Sequence, residues 1–212
     1  MNILSEEEIL KVINILEEVY PEANCELDYG TDFQLLISVV LSAQTTDKMV
    51  NQVTAKLFKC YKDLDAMLTL DEERLQEIIK RIGMYRIKAK NILALCRMLK
   101  FDYNGEVPDS FEELVKLPGV GRKTANVVLS TAFHQPAIAV DTHVFRVANR
   151  IGIVSEKNVL KTELSLMERL PKNKWTSMHH MLIWHGRRQC FARKPLCNSC
   201  RIKDLCKAYP VI

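Results

Sequence analysis

Leu117-Pro118-Gly119-Val120-Gly121-Arg122-Lys123-Thr124-Ala125 joins two amphipathic stretches. Pro118 cannot continue a helix and restricts the residue before it, so the first stretch has to end here. Gly119 and Gly121 permit backbone angles that other residues resist, and they leave no side chain to block a close approach. A second helix begins directly after them, and its first N–H groups have no acceptor within the helix. Such a terminus is a ready phosphate site. Val120, between the glycines, can pack inward and hold the two helices together. The spacing is that of neither a P-loop nor a dinucleotide fingerprint. An ordinary helix–helix connection would share the glycines, but Arg122 and Lys123 behind them favour an anion.

Working outward, the periodicity is helical almost throughout. Ser5 with Glu8 makes a capping box, after which Ile9, Val12, Ile13, Leu16 and Tyr20 fall on one face. A second helix is predicted from Thr31-Asp32, with Phe33, Leu35, Leu36, Val39 and Val40. Ser42-Ala43-Gln44-Thr45-Thr46-Asp47 breaks the pattern. Further helical stretches are predicted over 48–58, 65–69, 72–82 and 86–100. Ser110 with Glu113 makes a second capping box that opens Phe111 to Leu117. Residues 122–133, 142–151, 156–169 and 175–188 complete the series. No segment sustains the alternation of a strand, so the expected fold class is all-α. Glu77 to Ala89 also matches Glu113 to Ala125 at five of thirteen positions, including Gly83/Gly119 and Arg86/Arg122. This faint repeat reads as two phosphate-facing turns.

Composition narrows the class. The 212 residues are 48% hydrophobic and 26% charged, with only 7 Gly and 7 Pro. That is too apolar for a disordered chain and too poor in Gly and Pro for a collagen-like one. The strongest apolar run, Leu35 to Leu41, is far short of the roughly 20 residues that span a bilayer. Residues 1–8 are acidic where a secretory signal would be basic, so a soluble intracellular protein with no membrane partner is expected. Charge is uneven. Residues 1–106 carry 13 basic and 18 acidic side chains, and residues 107–212 carry 17 and 8. Within 172–207, nine Lys and Arg face Asp204 alone. A basic cluster of this kind suits a polyanion such as nucleic acid, although it also describes a solvated face.

Cysteine use is just as uneven. Cys25, Cys60 and Cys96 are scattered, whereas Cys190, Cys197, Cys200 and Cys206 crowd into seventeen residues. In a chain that reads as cytosolic, a cluster argues for a metal centre over disulfides. Four thiolates suit a tetrahedral zinc or a [4Fe–4S] cluster. Zinc sites usually show two Cys-x2-Cys knuckles, and only Cys197 and Cys200 form one.

Lys123 and Asp141 draw attention for their chemistry. Asp141, in Val140-Asp141-Thr142-His143, precedes a helical pattern and suits an N-cap. Lys123 in the first turn of a helix suits a phosphate contact. His143 beside Asp141 reads as structural. A metal role for His179, His180 and His185 is not expected, because the four cysteines already complete a ligand set.

The Leu117–Ala125 run resembles the helix-hairpin-helix of DNA repair glycosylases, and with Lys123 and Asp141 the chain resembles the endonuclease III family. Leu41-Ser42-Ala43-Gln44-Thr45-Thr46-Asp47 and Ile82-Gly83-Met84-Tyr85-Arg86-Ile87-Lys88-Ala89 are similar to that family's two further DNA-facing segments. Met84 stands where the family often has Leu. The 6-2-5 spacing of the four cysteines resembles the family's iron–sulfur motif. The resemblance implies a lobe of six helices over 25–135 that contains the hairpin. It implies a cluster lobe from 1–24 plus 136–212, with a cleft between the two. It further implies that Lys123 is the nucleophile, that Asp141 assists it, and that Cys190, Cys197, Cys200 and Cys206 hold a [4Fe–4S] cluster. Gln44 would fill the gap left by an extruded nucleotide, and Met84 would wedge between bases. Gly119, Val120, Gly121 and Arg122, with Arg193 and Lys194 on the cysteine loop, would meet the DNA backbone.

The implied activity is that of a bifunctional DNA N-glycosylase that removes oxidised pyrimidines and then cleaves the abasic site. Its partner would be double-stranded DNA containing damaged bases or abasic sites. The protein would be a monomer in the cytosol of a bacterium or archaeon. Two alternatives stay open at this level. One is a mismatch-specific thymine or uracil glycosylase, and the other is a non-catalytic iron–sulfur DNA-binding module. Adenine-removing relatives usually lack the hairpin lysine, so Lys123 argues against that branch.

Overall fold

A computed structural model describes residues 3–210, and among them the regular structure is all helical. Two compact units are present, one made of 1–25 and 136–212, the other of 26–135. No helix among the described residues is long and apolar enough to cross a membrane.

The 26–135 unit is organised around α2 (Asp32–Ser42), on which eight of eleven residues are buried. A helix that is apolar on nearly all sides belongs inside a bundle. It packs against α3 (Asp47–Cys60), α6 (Tyr85–Asp102) and α8 (Arg122–Thr131). The shorter α4 (Leu64–Leu68) and α5 (Glu72–Ile79) cover α6. Together these make six helices of five residues or more, with α7 (Phe111–Leu114) as a single added turn. Thr31, Thr46, Asp63, Asp71 and Ser110 each cap a helix through a side-chain oxygen, which satisfies N–H groups that the helix cannot.

The end of α7 departs from the sequence reading. The helix stops at Leu114, and Val115 to Leu117 continue as tight turns, with Lys116 and Leu117 donating to Glu113 O and Leu114 O. Pro118 disfavours α geometry at Leu117, which explains the early end. The second capping box is only half made. Ser110 accepts from the Glu113 amide, but the Glu113 carboxylate instead takes Tyr103 Oη (2.7 Å) and Lys116 Nζ (2.6 Å). Helix α8 ends at Thr131, two residues early. His134 takes a left-handed backbone there, and Gln135 N–H reaches back to Leu129 O, as in a Schellman closure.

The other unit joins α1 (Glu6–Val19) to α9 (Thr142–Ile151), α10 (Val159–Arg169) and α11 (Trp175–Arg188). Ser5 and Glu8 form the reciprocal capping box. Ile9, Val12, Ile13 and Leu16 of α1 meet Val144, Val147 and Ala148 of α9 and Met178 and Leu182 of α11 in one core. The extended segment Ala137–Val140 is buried along its length and delivers Asp141 to the start of α9. Helix α10 begins at Val159, three residues later than the periodicity predicts, because Asn158 caps it. Beyond α11 the chain runs through turns around the cysteines.

Candidate active site and nucleic-acid interface

The hairpin is built as its residue types require. Gly119 has φ +81°, and a Cβ there would lie 3.1 Å from Asn91 Cβ on α6. Both the left-handed backbone and the contact therefore demand glycine. Val120 is buried, and its N–H donates to Leu117 O at 3.0 Å. Gly121 is the N-cap of α8 and offers no side-chain cap to the helix. A Cβ on Gly121 would meet nothing within 4 Å, so the approach to the first turn of α8 is open. Lys123 is exposed in that turn, and the guanidinium of Arg122 sits 4.8 Å over the Phe111 ring. The repeat noticed in sequence is not matched in backbone geometry. The left-handed residue in its first copy is Met84, with φ 57°, and not Gly83.

Gln44 and Met84 are both exposed, and both non-glycine residues adopt the left-handed region, with φ 55° and 57°. Such angles cost free energy and cluster where a chain needs a fixed side-chain direction. Gln44 follows the C-cap of α2, and Met84 is the N-cap of α6. A Cβ on Gly83 would lie 3.5 Å from Gln44 O, so the two turns are neighbours. Sequence reasoning missed the link between them, the buried Lys88. A lysine on the inner face of a helix that starts with exposed residues was the available signal.

In the other unit, Asp141 caps α9 by accepting from the His143 and Val144 amides, both at 2.8 Å and both through Oδ1. That leaves Oδ2 outside the cap. His143 follows in the first turn of α9. Its ring lies against Gly186 of α11, where a Cβ would come 2.9 Å from Nδ1 and 3.0 Å from His143 Cβ. Burial lowers the His143 pKa, and the Asp141 carboxylate opposes that shift. Arg146 ties the region together, donating to Gly186 O and Cys190 O at 3.0 Å and meeting His143 Nδ1 at 3.2 Å.

This contact yields a prediction. Gly186→Ala forces α9 and α11 apart, because His143 Cβ moves only with its backbone. Overpacking of this kind costs about 1–3 kcal/mol, less up to about 1 kcal/mol from the better helix propensity of alanine. Because the clash includes a Cβ, the upper part of that range applies, about 2–3 kcal/mol, and the unfolding free energy from chemical denaturation should fall by a net of about 1–2 kcal/mol. An unchanged midpoint would show that the helices do not depend on this close approach.

Cys190, Cys197, Cys200 and Cys206 line one cavity with Ile151, Leu196 and Ile202, and no disulfide joins them. Burial pushes the Cys200 and Cys206 thiols up, and the neighbouring cysteines add to the rise. A cationic group between them reverses both effects. Among the described residues no three His, Cys, Asp or Glu side chains converge tightly enough for one metal ion. His185 borders the cavity, with Nε2 3.7 Å from Cys200 Sγ and Nδ1 3.1 Å from Tyr20 Oη. Burial takes His180 and His185 down to about 4, so both imidazoles are neutral near pH 7.

The loop that carries Arg193 and Lys194 is pinned from behind. Arg150 donates to Phe191 O (2.6 Å) and Ala192 O (3.0 Å) and lies 3.6 Å from Cys190 Sγ. Gln189 and Leu196 bond each other across the loop base. Arg193 and Lys194 are exposed on it. The basic run of 172–207 is less uniform than its composition. Lys174, Arg201 and Lys207 pair with Glu17, Glu18 and Glu8 of α1, and Arg188 stacks 3.6 Å over the Trp184 ring. Part of the basic excess therefore neutralises α1.

Residues 37–172 match the HhH-GPD superfamily base excision DNA repair protein family, and the chain belongs to that superfamily. It is 52% identical over 191 residues to Endonuclease III of Bacillus subtilis, covering 90% of this chain and 87% of that one. It is 50% identical over 198 residues to Endonuclease III of Escherichia coli, covering 93% and 94%. Among solved structures, a trapped Endonuclease III–DNA covalent intermediate aligns with a TM-score of 0.92 at 48% identity, covering 96% of each chain.

Proposed function

We propose that Lys123 is the nucleophile and Asp141 its carboxylate partner in this chain, which is a base excision repair enzyme, a DNA glycosylase that also cleaves the abasic site. The observation that carries this reading is an exposed amine in the first turn of α8, directly behind a glycine turn open to phosphate. The half-identity to endonucleases III supports it.

The neutral Lys123 amine attacks C1′ of a damaged nucleotide and displaces the base. The nitrogen of the resulting aminal then expels O4′, which takes up a proton as the sugar ring opens, and the Schiff base so formed acidifies the C2′ proton. Loss of that proton expels the 3′ phosphate, and hydrolysis then frees the lysine. Asp141 Oδ2 accepts the proton lost by the amine or stabilises positive charge on the sugar, while Oδ1 holds α9 in place. The target nucleotide has to leave the stack for this chemistry.

Gly119, Val120, Gly121 and Arg122 offer the hairpin to phosphate. Gln44 and Met84 enter the duplex, and Arg193 and Lys194 bind the backbone beside the cysteine loop. The substrate is double-stranded DNA with oxidised pyrimidines or abasic sites, bound by a monomer in the cytosol of a bacterium or archaeon. Cys190, Cys197, Cys200 and Cys206 hold a [4Fe–4S] cluster, which shapes their loop for DNA binding. Sulfurs arranged around a cavity suit a multi-iron cluster better than one zinc ion, which holds thiolates at about 2.3 Å.

A panel of duplexes tests the assignment. Oxidised-pyrimidine duplexes should yield free base and a strand cut together, and abasic duplexes should be cut directly. Release of mismatched thymine or uracil without a cut would replace this reading with the mismatch branch.

A further inference from the structure

Lys88 is 4% exposed, yet it ends in an ammonium. Its Nζ donates to Leu41 O at 2.9 Å, Ala43 O at 2.5 Å and Thr45 Oγ1 at 3.4 Å. An ammonium has three donors, and all three are spent on the turn that displays Gln44. None of the acceptors is charged. Leu41 and Ala43 lie at the C-terminal end of α2, where carbonyls lack helical partners and a cation is favoured. Water can satisfy such carbonyls at a surface, so a desolvated lysine is a costly way to do it. Burial lowers the Lys88 ammonium to about 8, so it stays charged at neutral pH.

The backbone of Lys88 faces the other turn. Its N–H donates to Met84 O at 3.1 Å in the first turn of α6. A single residue thus grips the Met84 turn through its main chain and the Gln44 turn through its side chain. Both turns hold a non-glycine residue in left-handed geometry, and both pass close to Gly83. We infer that Lys88 is a positioning residue that locks the Gln44 turn to the Met84 turn, so that the two exposed side chains meet a duplex as one preset unit. This rests on the reading that Gln44 and Met84 enter DNA.

The test is a double-mutant cycle on affinity for a duplex containing a tetrahydrofuran abasic analogue, read by fluorescence anisotropy. Lys88→Met keeps the apolar stem and removes the three donors. Gln44→Ala and Lys88→Met should each weaken binding about tenfold, the scale of hydrogen bonds to a charged group. The double variant should be no more than about twofold weaker than Gln44→Ala alone, because Lys88 acts through Gln44. Losses that multiply to about a hundredfold would show independent roles and overturn the inference. Unchanged affinity in Lys88→Met overturns it as well. If Gln44→Ala binds like the parent, the DNA-contact reading fails and the inference falls with it.

Should Lys88→Met not fold by circular dichroism, Thr45→Val keeps the branched shape and removes the hydroxyl that accepts from Lys88 at 3.4 Å and donates to Ala43 O at 3.4 Å. It should cost about two- to threefold in affinity, a loss absorbed in the Gln44→Ala background. A full multiplicative loss there overturns the inference.

Discussion

Lys123→Ala should abolish covalent trapping. When borohydride is present during turnover, it reduces the imine between lysine and C1′ to a secondary amine, and the enzyme stays fixed to the DNA. Without the amine there is no imine to reduce, so the covalent species should vanish altogether. Strand cleavage should fall to the rate of the abasic site's own breakdown. Lys123 is exposed on α8, so thermal stability should change by no more than about 0.5 kcal/mol. Affinity for the duplex should persist through the hairpin, the two turns and the cysteine loop. An adduct that survives in Lys123→Ala would mean that another amine attacks the sugar, and the assignment would be wrong.

Asp141 has two proposed roles, and two substitutions separate them. Asp141→Asn keeps an oxygen that can accept from the His143 and Val144 amides, and asparagine caps about as well as aspartate. It removes the negative charge that the proposed chemistry uses. Asp141→Ala removes both. The expected pattern is a stability loss of about 1 kcal/mol in Asp141→Ala and close to none in Asp141→Asn. Single-turnover base release should drop about 10²–10⁴-fold in both variants, the usual worth of a positioned proton acceptor. If Asp141→Asn keeps full rate, Asp141 is only a helix cap, and the base belongs to another residue.

Much of the helical order is legible in residue order because its causes are local. Ser5, Thr31 and Ser110 announce helix starts by the hydroxyl they place before an apolar pattern, and the structure uses each as an N-cap. Glycine at 119 and 121 and proline at 118 announce a turn by the backbone angles they allow. Where the reading slipped, a distant residue intervened. Glu113 was free to complete a capping box by its spacing, but Tyr103 and Lys116 claim its carboxylate. The nine basic residues of 172–207 looked unopposed, but the acids that answer three of them lie on α1. The wedge of His143 against Gly186 and the grip of Arg150 on the cysteine loop have no spacing to betray them.

The sequence by itself determined the helical class, the glycine turn before Lys123, the cap at Asp141 and the clustering of four cysteines, because these follow from periodicity, backbone permission and short-range hydrogen bonds. Only the tertiary structure decided that Lys88 spends its charge on the Gln44 turn and that His185 stands 3.7 Å from Cys200. Such partners are far apart along the chain. Burial and direction select them, and both arise only once the helices have packed.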